Sequence, residues 1–367
     1  MPSEIALESR HPTGREWLAT DFDYDLPPNA IAQEPLPTRS SARLLVVRPR
    51  SLVVSHDTVG NLCAWLRPGD LLVANNSRVI PARLRGNREG TGGRTELLLL
   101  RRVGDERWEA LAKPARRLRP GTRIVVPAND GSGQASMGVE VEALGSDGHV
   151  TVRLDREEGV DLAVYGGVPL PPYITTPLAD PERYQTVYAD AEGSVAAPTA
   201  GLHFTVPLID SLRAAGIGWA EVTLHVGLDT FRPVTADRLE EHTIHREWFA
   251  VPDETATAIA ETKRAGGRIF AVGTTAARTL EAYGEGFDSA RPMGKADMAD
   301  IFITPGYRWH LVDGLLTNFH LPRSTLLMMV SALAGVDTIK AAYAVALSEG
   351  YRFYSFGDAM LILPTEG

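Results

Sequence analysis

The chain has 367 residues, of which 44% are hydrophobic and 23% charged, and its mean hydropathy is −0.09. This length allows two domains, and this composition excludes a largely disordered chain, a fibrous repeat and an integral membrane protein. The formal charge of −9 argues against a nucleic acid held by bulk positive charge. The one cysteine, Cys63, cannot form an internal disulfide, and the first residues lack the apolar core of a signal peptide. We therefore expect a cytoplasmic protein.

The first part of the chain predicts short strands. Residues 1–20 are polar and predict a loose N-terminal arm. From Asp21 to about residue 155, apolar runs alternate with Gly, Pro and Asp clusters, with no helical pattern between them. The runs are R-L-L-V-V, D-L-L-V-A, T-E-L-L-L-L, R-W-E-A-L-A, T-R-I-V-V, G-V-E-V-E-A-L and H-V-T-V-R-L. Strands at this spacing favour a small antiparallel barrel.

After the Pro-rich segment V-P-L-P-P-Y-I (168–174), helix patterns alternate with strand patterns. Helices are predicted after Thr205, Asp253, Ser324 and Asp337, and strands over 219–226 and 268–272. This alternation indicates an α/β protein. We predict an α/β catalytic domain formed by residues 21–70 and 156–367, and a smaller β-barrel domain over 71–155.

The charge is distributed unevenly. Between Arg78 and Arg123 there are thirteen basic and five acidic residues, so this stretch carries +8 and the rest of the chain −17. One explanation is a polyanion that docks locally on the β domain. The other is an ordinary solvated face, because barrel strands need polar outer residues.

Two segments place a histidine where a ligand can approach. In S-V-A-A-P-T-A-G-L-H-F-T (194–205), small residues leave the backbone open, and His203 precedes a helix start whose N–H groups favour an anion. In T-L-H-V-G (223–227), His225 and Gly227 lie on one side of a strand end, a common place for catalytic groups. A tight structural turn and a core-facing histidine are the respective alternatives.

Two further segments carry polar residues next to helix starts. A-V-G-T-T-A-A-R (271–278) predicts a strand, a Gly and a helix with Thr274 or Thr275 as N-cap and Arg278 one turn in. This arrangement can hold an anion or a ribose, although an ordinary βα turn has the same pattern. Asn318 and His320 lie in a loop before a capped helix. No G-x-G-x-x-G occurs, and H-T-I-H (242–245) with its neighbouring glutamates implies too few ligands for a metal.

The chain resembles a known family over most of its length. The matching segments include N-S-R-V-I-P-A-R-L, D-P-E-R-Y-Q-T-V-Y-A, A-A-P-T-A-G-L-H-F-T, L-H-V-G-L-D-T-F-R-P-V, A-V-G-T-T-A-A-R-T-L-E and L-L-T-N-F-H-L-P-R-S-T-L-L, in family order from about Asp21 to Ile362. They closely resemble the S-adenosylmethionine:tRNA ribosyltransferase-isomerases of queuosine biosynthesis, the QueA family. The resemblance implies a larger α/β barrel-like domain with a smaller antiparallel β-barrel domain.

The resemblance also implies a reaction, which combines a transferase and an isomerase step in tRNA modification. Family members transfer the ribosyl moiety of S-adenosylmethionine to 7-aminomethyl-7-deazaguanine at the tRNA wobble position and isomerise it, giving epoxyqueuosine-tRNA, adenine and methionine. The implied partners are S-adenosylmethionine as co-substrate and a tRNA with a queuosine-type anticodon. No metal and no membrane are expected, and we expect a monomer.

The chemistry assigns roles to matching residues. The sulfonium acidifies the C5′ protons, and a neutral histidine is a suitable base near pH 7, so His203 and His225 are both candidates. Asn318 and His320 are candidates for hydrogen bonds to the departing adenine. The methionine carboxylate needs a cation or a helix N-terminus, for which Arg278 with Thr274 and Thr275, or Arg232, would serve. The remaining candidates are Arg78, Arg83, Thr199, Gly201, Phe204, Gly227 and Thr230 for substrate, and Arg101, Arg102, Arg116 and Arg117 for tRNA.

The sequence departs from the family pattern at Asn76, where the family has Asp. Asn cannot pair with an aminomethyl cation through a negative charge, so this departure bears on acceptor identity. Two alternatives therefore stay open: the same ribosyl chemistry on a small-molecule amine, and a catalytically silent RNA-binding relative. Asp229 also replaces a family Gly and offers a carboxylate near the site, or a surface turn.

Overall fold

A computed structural model describes residues 16–49, 54–129, 133–155, 161–227, 236–242, 244 and 246–365. Within these ranges the chain forms eighteen strands and five α-helices, joined by loops and short 3₁₀ turns. The strands are β1 Arg43–Val47, β2 Val54–Thr58, β3 Leu71–Asn75, β4 Ser77–Val79, β5 Arg83–Arg88, β6 Arg94–Gly104, β7 Arg107–Lys113, β8 Arg123–Val126, β9 Met137–Leu144, β10 His149–Asp155, β11 Gly166–Gly167, β12 Ala191–Ser194, β13 Gly218–Leu224, β14 Glu247–Val251, β15 Ile269–Val272, β16 Lys295–Ala299, β17 Gly314–Asn318 and β18 Ala359–Ile362. The helices are α1 Val206–Ala214, α2 Asp253–Arg264, α3 Thr274–Gly284, α4 Thr325–Ala334 and α5 Val336–Ser348.

The larger sheet has nine strands in the order β16-β14-β13-β3-β15-β17-β18-β1-β2. Its centre, β13-β3-β15-β17, is parallel, and antiparallel strands flank it on both sides. Both faces are covered, because Leu71 and Val73 pack into a core with α2 to α5, whereas Leu72 and Ala74 pack on the other face with α1. This covering explains why the central strands are apolar at every position instead of alternating.

The smaller sheet closes into an antiparallel barrel. Its order is β11-β5-β6-β7-β10-β9-β8, and β5 also pairs with β8, so six strands form a ring. Along β10, buried residues alternate with half-buried ones, and Val150, Val152 and Leu154 point into the interior. The predicted fold class, α/β with a smaller antiparallel β-barrel, is confirmed. No pairing within the described residues joins β16 to β2, so the larger sheet is open and the closed ring is the smaller one.

Two strands predicted for the barrel lie elsewhere. R-L-L-V-V is β1 and D-L-L-V-A is β3, and both belong to the large sheet. Their continuous burial contrasts with the alternating burial of the barrel strands, because both faces of the large sheet are covered. The first barrel strand begins at Arg83, and we propose 83–167 for the smaller domain in place of 71–155.

Two helix starts follow the predicted capping residues, whereas α2 begins at Asp253 itself and α5 at Val336, before Asp337. Thr205 and Ser324 accept hydrogen bonds from the backbone N–H groups of Leu208 and Leu327, as the sequence predicts. The start of α3 differs from the prediction, because Gly273, with φ of 88°, is the N-cap and Thr274 is already helical. A side chain at residue 273 would be strained at this positive φ.

Across the described ranges, no single helix is long and apolar enough to cross a membrane. Helices α4 and α5 reach this length and apolar composition only when taken together, and a bend of 112° separates them.

Candidate functional site

The predicted site residues follow the parallel strands of the large sheet. His225 comes directly after β13, Thr274 follows β15 by one glycine, and Asn318 ends β17. Because the carboxyl ends of parallel strands meet at one edge of a sheet, these residues from distant segments come together. This edge carries a narrow pocket and, beside it, a wide cleft toward the barrel.

The narrow pocket has a volume of about 60 Å³. It brings together five predicted residues from three separate segments of the sequence. They are Thr199, Thr274, Thr275, Asn318 and His320. Tyr173 and Tyr354 supply aromatic walls, with ring centroids 4.7 Å apart. Asn318 is 4% exposed, so its polar groups need partners inside the protein.

Asn318 is fixed in one orientation by three hydrogen bonds. Its Nδ2 donates to the backbone oxygen of Tyr354 at 3.1 Å, which identifies this atom as the nitrogen. The same Nδ2 lies 3.1 Å from Nε2 of His203, and Oδ1 accepts from Thr199 Oγ1 at 3.2 Å. Both N–H groups of the amide are therefore used within the protein.

His203 lies behind Asn318 and does not line the narrow pocket. Because Asn318 Nδ2 is a donor, Nε2 of His203 accepts and the ring is neutral with its proton on Nδ1. Burial, assisted by Arg39 and Arg352, lowers the pKa of His203 to about 4. A weakly basic ring with an occupied lone pair is suited to hold Asn318 rather than to abstract a proton.

His320 is also buried and neutral. Its Nε2 lies 2.9 Å from Thr317 Oγ1, and its backbone N–H donates to Tyr343 Oη at 2.9 Å. Burial lowers the pKa of His320 to about 3. No described residue hydrogen-bonds its Nδ1, so this ring keeps a polar atom for a ligand in the pocket it lines.

The wide cleft lies between the barrel and the large sheet and has a volume of about 990 Å³. His225 and Gly227 line it from the sheet side, and Val226 is a wall of both the cleft and the narrow pocket. Nε2 of His225 is buried and has no hydrogen-bond partner in the described structure. Burial lowers the pKa of His225 below its ordinary value, so the ring is neutral at pH 7 with an unengaged nitrogen.

Comparisons with known proteins show the family of the chain. A family model described as "Queuosine biosynthesis protein" matches residues 19–362. The chain belongs to this family. It is 50% identical over 350 residues to S-adenosylmethionine:tRNA ribosyltransferase-isomerase of Symbiobacterium thermophilum, and 48% identical over 347 residues to that of Acetivibrio thermocellus. Both matches cover 94% of this chain and 99% of the relative.

A solved relative of the queuosine biosynthesis family has the same fold. The crystal structure of S-adenosylmethionine tRNA ribosyltransferase from Thermotoga maritima is 36% identical and aligns with a TM-score of 0.54. The alignment covers 94% of this chain and all of that one. The resemblance seen in the sequence is thereby confirmed.

Arg278 does not line the narrow pocket. Its guanidinium pairs with Glu247 Oε2 at 2.5 Å and donates to the backbone oxygen of Ala299 at 3.1 Å. Glu247 in turn accepts from the N–H of Gly227 at 2.9 Å through Oε1. The buried pair therefore holds the segment after β13, and we assign Arg278 a positioning role instead of the predicted contact with the methionine carboxylate.

Four other predicted substrate residues also have structural roles. Phe204 is fully buried and packs against Trp219, with ring centroids 5.1 Å apart. A Cβ on Gly201 would lie 2.1 Å from Tyr188 Oη, so this glycine allows close packing. Arg78 and Arg83 are bound to Glu182 at 2.7 Å and to Glu96 at 2.9 Å. None of these four lines the pocket or the cleft.

The four arginines predicted for tRNA form two groups. Arg101 and Arg102 line the cleft, and Arg101 holds Glu109 at 2.8 Å. Arg116 and Arg117 lie on an exposed 3₁₀ turn after β7. Arg107 and Arg123 pair with Glu142 and Asp155, which lie outside the stretch, so the +8 is partly neutralised at the surface.

Asn76 does not line the pocket or the cleft. Its Oδ1 accepts from Thr223 Oγ1 at 2.7 Å, and its Nδ2 lies 3.4 Å from Glu221 Oε2. An Asp at this position would place two carboxylates together, so Asn here suits the neighbouring Glu221. The departure from the family pattern is thus linked to local packing, at a distance from the open cavities.

Thr230, Arg232 and Asp229 lie outside the described residues, as do residues 243 and 245 of the H-T-I-H segment. Within the described ranges, no group of three His, Cys, Asp or Glu side chains is placed to hold a metal ion.

Asn75, which no sequence motif indicated, connects β3, β13 and the first turn of α3. This side chain is fully buried at the end of β3. Its Nδ2 donates to the backbone oxygen of Leu224 at 3.0 Å and lies 3.3 Å from Thr275 Oγ1, and its Oδ1 accepts from the Leu224 N–H at 3.0 Å. The sequence signal that could have indicated Asn75 is a polar residue at the end of an otherwise apolar strand. Trp248, whose ring centroid lies 5.0 Å from that of His225, was missed for lack of any local signal.

Proposed function

We propose that this chain transfers and isomerises the ribosyl moiety of S-adenosylmethionine onto 7-aminomethyl-7-deazaguanine at the tRNA wobble position. The products are epoxyqueuosine-tRNA, adenine and methionine, and the enzyme acts as a cytoplasmic monomer. The observation that carries the proposal is the convergence of Thr199, Thr274, Asn318 and His320 in one pocket next to an unengaged His225. A silent binding relative has no need of such convergence.

His225 is the base in this proposal. The sulfonium acidifies the C5′ protons of the co-substrate, and a neutral imidazole nitrogen without a partner can accept one of them. Nε2 of His225 meets this requirement, whereas Nε2 of His203 is occupied by Asn318. His203 and Asn318 then act together as positioning residues, because each fixes the orientation of the other.

The narrow pocket receives the adenine end in this proposal. His320 offers Nδ1 toward the departing base, and Thr199 and Thr274 offer hydroxyl groups around it. A pocket of about 60 Å³ is too small for the whole co-substrate, so the remainder extends past Val226 into the cleft.

One experiment tests the reaction. The protein is incubated with S-adenosylmethionine and tRNA that carries the aminomethyl-deazaguanine, and the digested nucleosides are analysed by mass spectrometry. Formation of the epoxycyclopentanediol nucleoside with an equal amount of adenine supports the proposal. Adenine release only with a small-molecule amine would support the alternative acceptor, and no turnover under any condition would support a silent relative.

A further inference from the structure

The cleft contains four carboxylates, and three of them are engaged by the protein. Glu109 is held by Arg101 at 2.8 Å, and Glu247 by Arg278. Asp161 accepts from the backbone N–H of Ala163 at 2.9 Å. The fourth, Glu192 on β12, is exposed, and no hydrogen bond or ion pair engages its side chain in the described structure.

The arginines near Glu192 are directed to other carboxylates. Arg78 is its register partner on β4, but its guanidinium pairs with Glu182 at 2.7 Å. The cleft arginines Arg102 and Arg246 each lie 3.9 Å from another carboxylate. Glu192 therefore presents an uncompensated negative charge to the cleft.

Glu192 also lies beside the proposed base. The next residue, Gly193, has φ of 136°, and a Cβ built on it would lie 2.4 Å from Cε1 of His225. The backbone of β12 thus packs directly against the imidazole ring. Glu192, Gly193 and His225 line the same cleft, so a group held by Glu192 shares that cleft with the proposed base.

The acceptor of the proposed reaction is a primary amine. An alkyl amine of this kind is a cation at pH 7, comparable to a lysine side chain. It must bind close to the ribosyl carbon to which it becomes joined, and hence close to His225. A carboxylate is the side chain that binds an ammonium group most strongly, through charge-assisted hydrogen bonds.

We propose that Glu192 binds the aminomethyl group of the acceptor base and so selects an amine-bearing tRNA. This inference rests on the proposed function, since it needs the same tRNA acceptor. Asn76 stands where the family has Asp and cannot pair with the aminomethyl cation through a negative charge. In this proposal Glu192 on β12 supplies that negative charge. Trp108 and Trp248, which line the same cleft, offer aromatic faces for the base itself.

The test compares two tRNAs that differ only at the modified base, one with the aminomethyl group and one with a neutral nitrile at the same carbon. Equilibrium binding of each is measured with the wild-type chain, with Glu192→Gln and with Glu261→Gln. The control, Glu261, is an exposed glutamate on α2 away from both cavities. Gln keeps the size of the side chain and removes its charge.

We expect the wild-type chain and Glu261→Gln to bind the aminomethyl tRNA about 10-fold more tightly than the nitrile tRNA, as one charge-assisted hydrogen bond allows. Glu192→Gln should bring this ratio close to one, with unchanged binding of the nitrile tRNA and of S-adenosylmethionine. An unchanged ratio in Glu192→Gln, or no preference in a wild-type chain that forms product, overturns the inference. A wild-type chain that forms no product from the aminomethyl tRNA instead refutes the proposed function.

Discussion

At the scale of single residues, the structure separates two histidines that the sequence left unranked. His225 lines the cleft and its Nε2 has no partner in the described structure, so His225→Asn should lower kcat by about 100-fold or more, the usual contribution of a general base. The base must be neutral to act, and burial lowers its pKa. The rate of the wild-type enzyme should therefore fall with decreasing pH only below pH 6.5, and the pH dependence of kcat/KM should show this decline. An unchanged kcat in His225→Asn would contradict the role of this residue.

His203 should respond differently, because its Nε2 accepts a hydrogen bond from Asn318. Gln can offer an oxygen in a similar place and Leu cannot. We expect His203→Gln to keep most of the activity, and His203→Leu to raise KM for S-adenosylmethionine and to lower kcat. Steady-state kinetics of the two variants give the comparison. If both variants lost activity equally, while thermal unfolding showed them folded, the positioning role would be wrong and His203 itself would be needed in the reaction.

At the scale of elements, the packing of β12 against the end of β13 places the base. Gly193 leaves the space that the His225 ring occupies, and its φ of 136° disfavours any other residue. Gly193→Ala should therefore displace the ring and lower kcat at least 10-fold, although position 193 itself has no polar side chain. Gly167→Ala is the matched control, because a Cβ at Gly167 meets no atom within 4 Å. Equal rates for the two variants, measured by adenine release, would show that the ring position does not depend on β12.

Elements with local signals could be predicted from the sequence, and elements defined by distant pairing could not. Helix caps at Thr205 and Ser324 and the alternation in the barrel strands are local signals, and they gave the fold class. The membership of β3 in the large sheet depends on pairing with β13 and β15, which are more than 140 residues away. The pairing of Arg278 with Glu247 likewise joins α3 to β14, and no local pattern distinguishes a paired arginine from one that binds substrate.

At the scale of the whole molecule, two buried neutral histidines link stability to pH. The pKa values of His203 and His320 are lowered to about 4 and about 3, whereas the unfolded chain titrates near 6.5. The unfolded state thus binds more protons, and stability falls as pH decreases from 6.5 toward 4. When the pH is lowered from 7 to 5, the free energy of unfolding should fall by about 2 kcal/mol for each of the two histidines. Urea unfolding at pH 7 and at pH 5 measures this loss of stability. In His203→Gln the loss should be smaller by about 2 kcal/mol. An identical loss in the variant would contradict the assignment to His203.

The barrel and the large sheet together determine how an acidic protein holds tRNA. Arg101 and Arg102 line the cleft, and Arg116 and Arg117 lie near its rim, because Gly148 packs beside Ala115 and the following His149 lines the cleft. If both groups contact phosphates, Gln substitution of either pair should reduce the slope of log Kd against log salt by about 1 to 2, the effect of one or two lost contacts. Arg213→Gln on α1, on the far side of the large sheet, serves as the control. A slope unchanged in both double variants would show that the +8 stretch is a solvated face.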